Sequence, residues 1–208
     1  MATSRKSPAE ESLNTVVREA VTAVLKPIGF KKTANNFHRR RGTCVQVVNI
    51  QGSPGSTWAE KIFYVNVGLA FDEICHHLDR PVVEKPKEYE CHSRGLCVRL
   101  EQVVTEAPDQ WTIPANANTD AIVVQLRPII EVMASKLDEI EGISSLRNST
   151  WFNWHRPLDV RALVLYLLDD KAAARTEVTE LTKCFKDREL LNEREHWLSE
   201  LKLAGLDD

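Results

Sequence analysis

The sequence predicts an α+β fold: an antiparallel sheet of about four strands packed on two long helices, with a C-terminal helical extension. Three observations carry this. Cys44 to Gln51 and Ile62 to Phe71 are β-branched and aromatic runs joined by Gly52-Ser53-Pro54-Gly55-Ser56, the pattern of two long strands and their turn. Two stretches, Leu13 to Ile28 and Ile122 to Ile140, repeat apolar residues at helical spacing. The chain after Ser149 carries three further helical patterns, which places residues 1–148 in the α+β domain and 149–208 in a helical extension packed on it.

Composition bounds the partners. The 208 residues are 43% hydrophobic, enough for one large core with an appendage, and the net charge of -3 gives no general pull toward nucleic acid or anionic membrane. Any such binding has to come from a local patch. Met1 to Ala9 lacks an apolar run and no stretch reaches membrane-spanning length, so the expectation is a cytosolic protein with no membrane partner. Five cysteines, an odd count, favour free thiols over a disulfide framework.

Ser7-Pro8-Ala9-Glu10 has a capping hydroxyl, a proline at the first helical position and an acid three residues after the cap, so the first helix starts there. Leu13, Val16, Val17, Ala20, Val21, Val24, Leu25 and Ile28 form its apolar stripe, and Pro27 and Gly29 end it. Asn35-Asn36 then turns the chain into a short basic strand, Phe37 to Arg41. Its charges suit a sheet edge, where they discourage a second chain from adding on.

Period two fixes the faces of the two long strands. Phe63, Val65, Val67, Leu69 and Phe71 form one apolar set, with Tyr64, Asn66 and Gly68 opposite. Cys44, Val48 and Ile50 share one face of the other strand, with Val45, Val47, Asn49 and Gln51 opposite. If the apolar sets meet across an antiparallel pair, Asn49 and Gln51 fall on the same side as Tyr64 and Asn66. Cys75 to Cys91 reads as a loop, and Leu96 to Val103 alternates as a further strand with Arg99 and Glu101 on the polar face.

Trp111 to Asn118 reads as a second loop. Thr119-Asp120 can cap the next helix, whose stripe is Ile122, Leu126, Ile129, Ile130, Met133, Leu137 and Ile140. Pro128 should kink that helix or delay its start, and Gly142 should stop it in a left-handed conformation. Ser149 to Trp154 is an aromatic connector, its Trp151, Phe152 and Trp154 fitting a packed hinge or a partner-binding patch. The helical patterns that follow run from Leu158 to Leu168, Lys171 to Lys186 and Leu190 to Ala204, with Asp170 and Asp187 near starts.

Asn49, Gln51, Tyr64, Asn66 and Arg99 supply donors and acceptors without an evident base, which suits ligand or partner recognition better than bond cleavage. The same residues also fit a solvated outer face. Lys31, Lys32, Arg39, Arg40 and Arg41 form the one basic cluster, an alternative site for nucleic acid or phosphate. Cys75, His76, His77, Cys91, His92 and Cys97 offer zinc-type donors, but without a Cys-x-x-Cys pair, and the adjacent His76 and His77 converge poorly on one ion. The sequence therefore assigns no metal ligand, no cofactor and no catalytic residue. A metal-dependent or cysteine-based enzyme stays as a second alternative, with Cys91 the conceivable nucleophile.

Gly29-Phe30-Lys31-Lys32 followed by Phe37 and Arg39, the strand Val45 to Gln51 with Ser53, Phe63-x-Val65-Asn66-x-Gly68, and Glu88-Tyr89-Glu90-Cys91-His92-Ser93-Arg94 resemble an uncharacterised bacterial family. It is the domain-of-unknown-function family numbered four-three-zero-four. The resemblance runs from about the first helix to Trp151. It implies a small bacterial cytosolic protein, an accessory or immunity-type component of a toxin or defence locus, and carries over no activity. A non-catalytic module that binds a protein partner or ligand is the function these readings converge on.

Overall fold

A computed structural model describes residues 6–153, 158–186, 198–203 and 206. The first helix opens as Ser7 predicts, with its hydroxyl accepting from the Glu10 amide at 3.1 Å. It runs as α1 (Pro8–Val16), a π-helical stretch (Val17–Thr22) and a last turn, α2 (Ala23–Leu25). Gly29, at φ 95°, carries the chain away from it.

The sheet has six strands, all pairings antiparallel: β1 (Lys31–Thr33), β2 (Asn36–Arg41), β3 (Cys44–Gly52), β4 (Glu60–Phe71), β5 (Gly95–Arg99) and β6 (Trp111–Pro114). They lie in the order β1-β2-β3-β4-β5, and β6 pairs with the opening of β4, beside β5. The expected four become six because β1 and β6 are too short to show alternation. β1 is three residues long and exposed throughout, and β6 holds two buried residues, Trp111 and Ile113, before Pro114. Trp111 to Pro114 is therefore strand rather than loop. β2 is an edge only in part, because β1 pairs with Asn36 to His38 and leaves Arg39 to Arg41 uncovered.

The face assignment follows from the register. Val48 stands opposite Val67 and Ile50 opposite Val65, while Asn49 meets Asn66 and Gln51 meets Tyr64. The apolar side shares one buried cluster with Val16, Ala20, Val21 and Leu25 of the first helix and with Leu126, Ile130, Met133 and Leu137 of α5 (Thr119–Asp138). Buried Gln46 is the polar exception on that side. Its amide donates to the Leu137 and Ile140 carbonyls at 2.7 and 2.8 Å, closing the C-terminal end of α5.

Several local expectations change. Asp72–His77 forms a short helix, α3, and Glu88–Ser93 a 3-10 segment, within what the sequence suggests is loop. The strand at Leu96 stops at Arg99, since Leu100–Val103 is a helical turn, α4, which removes Glu101 from the sheet's polar face. Asn118, not Thr119 or Asp120, caps α5, accepting from the Asp120 amide at 3.1 Å. Pro128 neither ends nor delays α5. The carbonyl its missing N–H leaves without a helical partner belongs to Val124, a residue 72% exposed on the solvent side of α5. Gly142, at φ -179°, is no left-handed stop; it is extended and precedes α6 (Ile143–Asn148).

Trp151 and Phe152 are buried in a 3-10 turn (Thr150–Asn153). α7 (Leu158–Leu167) and α8 (Lys171–Lys186) follow closely at the expected positions, and Asp170 accepts from the Ala173 amide at 3.2 Å. Val160, Leu163, Val178, Leu198 and Leu206 join the same buried cluster as the sheet, so hydrophobic contact is continuous across the 148/149 boundary. Trp154, Asp187 and most of Leu190 to Ala204 lie outside the described residues. Among the described residues no helix is long and apolar enough to cross a membrane.

Candidate functional site

The sheet's second face has two halves. One is covered: Val45, Val47 and Ala70 pack under Cys91 of the Glu88–Ser93 segment, with Cys97 beside them. Gly68 makes this approach possible, because a Cβ there would sit 2.7 Å from the Cys91 sulfur. His38 helps hold the preceding chain, its Nε2 lying 2.9 Å from the Pro86 carbonyl.

The other half carries amides. Asn36 pairs with Asn49, Asn49 with Asn66, and Asn66 with Arg99 in successive strands, so one row crosses β2, β3, β4 and β5. Along it Asn49 Nδ2 donates to Asn36 Oδ1 at 2.9 Å, and Asn66 Nδ2 donates to Asn49 Oδ1 at 3.2 Å and Gln51 Oε1 at 2.9 Å. Asn66 and Asn49 are buried, whereas Gln51 is exposed. Such a chain satisfies polar groups that would otherwise be costly to bury.

Arg99 ends the row. Its guanidinium lies 4.0 Å from the centre of the Tyr64 ring, and its backbone N–H donates to Gln102 Oε1 at 2.9 Å, which fixes the point where β5 turns into α4. Among the described residues no carboxylate pairs with Arg99, and its Nη1 is enclosed without an acceptor. A pocket of about 350 Å³ opens here, lined by Gln51, Asn66, Arg99 and Gln102 with Glu88, Tyr89, His92 and Cys97 from the covering segment and β5.

All five sequence-selected recognition residues therefore meet: Asn49, Gln51, Asn66 and Arg99 around the amide row, and Tyr64 under the guanidinium. The sequence reading missed Asn36, Glu88, Tyr89 and Gln102, and weighed His92 only as a zinc-type donor. The Glu88 to Arg94 run is conspicuous in the chain, but nothing in its spacing shows that it folds back over the sheet.

The basic cluster is not gathered. Arg39 points to the helix side, with its Nε and Nη2 on Gln46 Oε1 at 3.0 and 2.7 Å, Nη1 on the Ile28 carbonyl and an ion pair to Asp138 at 2.7 Å. Arg40 points to the other face and pairs with Asp72 and Glu84, and Arg41 pairs with Glu141. Lys31 and Lys32 remain exposed on β1. Alternation along β2 is the cause, since neighbours in a strand face opposite ways.

Of the sulfur and imidazole donors, Cys91 and Cys97 lie together on the sheet, and His92 lines the pocket with Cys97. Among the described residues no three His, Cys, Asp or Glu side chains converge as a metal site. Cys44, Cys75, Cys91 and Cys97 are free. Burial pushes the Cys97 thiol up to about 11 and the Cys91 thiol higher still, so both hold their protons at neutral pH and are poor nucleophiles. A larger cleft of about 600 Å³ lies between α5 and β6, but Val104, Trp111, Pro128, Ile129 and Val132 make it mostly apolar. Polar groups that could orient a ligand converge in the smaller pocket.

A family model, the domain of unknown function (DUF4304), matches residues 21–137, more than half of the chain and all six strands. The chain belongs to that family. The DUF4304 match takes in both the amide row and the segment that covers its neighbour. No curated protein and no solved structure matches the chain.

Proposed function

We propose that this DUF4304 chain is a non-catalytic recognition module: a sheet backed by its first helix and α5 presents the amide face, with Arg99 at its end, to a segment of a protein partner or a polar ligand. One observation carries the reading. Arg99 is held in place by Tyr64 and pairs with no carboxylate among the described residues, whereas each arginine of β2 has one. A positioned but unpaired guanidinium beside uncommitted amide atoms is suited to receiving a ligand group. The high thiol pKa values favour binding over cysteine chemistry. The free cysteines fit a reducing, cytosolic setting.

Affinity capture with the full chain as bait, read by mass spectrometry against Arg99→Ala and Gln51→Ala baits, tests it. The expected result is a species retained by the native chain and lost by both variants. Identical profiles for all three baits would overturn the assignment of this face.

A further inference from the structure

The recognition reading leaves open what the pocket accepts, and its unspent hydrogen-bonding atoms narrow the choice. Asn66 Nδ2 is committed to Asn49 and Gln51, which leaves Asn66 Oδ1 as an acceptor and, next to it, Gln51 Nε2 as a donor without a partner among the described residues. A peptide unit can be met by either group, its N–H by the acceptor or its C=O by the donor, since the trans unit holds the two on opposite edges. Arg99 adds a planar fork whose natural complement is a carboxylate.

The charge balance selects against a phosphate. Arg99 is the one arginine or lysine lining the pocket among the described residues, and Glu88 lines it too. A single guanidinium matches a single negative charge, and Glu88 repels a second one. About 350 Å³ is room for one or two residues of peptide and not for a large ligand.

We infer that the site takes a carboxylate adjoining an amide: Arg99 holds the carboxylate while Asn66 accepts from the neighbouring amide N–H or Gln51 donates to its C=O. This rests on the proposed recognition role of the same face. The chemistry is that of a peptide's C-terminal residue, and it is shared by a free N-acylated amino acid and by an internal Asp or Glu side chain.

The test uses the full chain labelled with ¹⁵N and three probe sets: acetylated tripeptides with a free C-terminus, the same tripeptides as C-terminal amides, and N-acetyl amino acids. Amidated tripeptides carrying internal Asp or Glu form a control arm. The expected result is movement of the Arg99 Nε–H and Gln51 side-chain signals with free C-termini, at least tenfold weaker binding of the amides, and at least tenfold loss in Arg99→Lys. Equal binding by N-acetyl amino acids would make the free acid sufficient, and binding by the control arm would place the carboxylate on a side chain; both keep the inference. Amides that bind as well as free acids overturn it. If no probe binds while partner capture still depends on Arg99, the carboxylate inference fails and the recognition role stands; loss of that dependence as well removes both.

Discussion

Asn49 and Asn66 face each other directly across β3 and β4, and one side-chain hydrogen bond of 3.2 Å joins them in mid-sheet. Asn66 at the same time serves Gln51, so a single buried amide satisfies two acceptors. Its removal leaves both without that donor, one of them buried. Asn66→Ala is therefore expected to lower stability by about 1–3 kcal/mol. Gln51→Ala, at an exposed position, should stay within about 0.5 kcal/mol of the native chain. Urea denaturation of the two variants measures this, and a loss below about 0.5 kcal/mol in Asn66→Ala would show that the row is not a structural network.

The arginines of β2 should differ as sharply. Arg39→Ala strands the fully buried Gln46 oxygen, removes the guanidinium from the Phe30 ring at 4.5 Å and breaks the tie to Asp138. A loss of about 2–4 kcal/mol is expected. Arg41→Ala breaks an exposed pair with Glu141 and should cost less than about 1 kcal/mol. The denaturation midpoints decide, and the opposite order would refute the assignment of Arg39 to the fold.

His38 makes stability depend on pH. Burial lowers its pKa, outweighing the Pro86 hydrogen bond, and Lys85 adds to the lowering. The unfolded chain then binds the proton first. Stability is held above the ordinary value of 6.5 and falls as pH drops through it toward the depressed folded value, by at most about 1.4 kcal/mol per pH unit. His38→Gln, which keeps a donor for the Pro86 carbonyl, should flatten stability between pH 7.5 and pH 5.5 relative to the native chain. An unchanged slope would exclude His38 as the source.

Gly68→Ala tests how closely the Glu88–Ser93 segment lies on the sheet. The added methyl meets the Cys91 sulfur at 2.7 Å and its Cβ at 3.1 Å, so the segment has to move, at a cost of about 1–3 kcal/mol. Iodoacetamide at pH 8 should label Cys91 slowly in the native chain, where burial raises its pKa, and at least tenfold faster in the variant. Labelling at equal rates, read by mass spectrometry, would contradict this packing.

The sequence by itself determined the two long strands, their shared register of faces and the helices at Pro8 and Thr119, because alternation and helical spacing are local patterns written over many residues. Four amide-row residues and Tyr64 were legible for the same reason: period two places Asn49, Gln51, Tyr64 and Asn66 on one side, and Arg99 follows from the next strand. β1 and β6 were not, since three or four residues carry too little pattern and are strands only because β2 and β4 supply their hydrogen bonds. Nor was the division of the basic cluster, whose carboxylates Asp72, Glu84, Asp138 and Glu141 lie far along the chain. The tertiary structure alone decided that Glu88 to Ser93 folds over Gly68 and walls the pocket. That contact depends on a long-range approach of the Cys91 side chain to the backbone at Gly68, which the missing side chain there permits but does not announce.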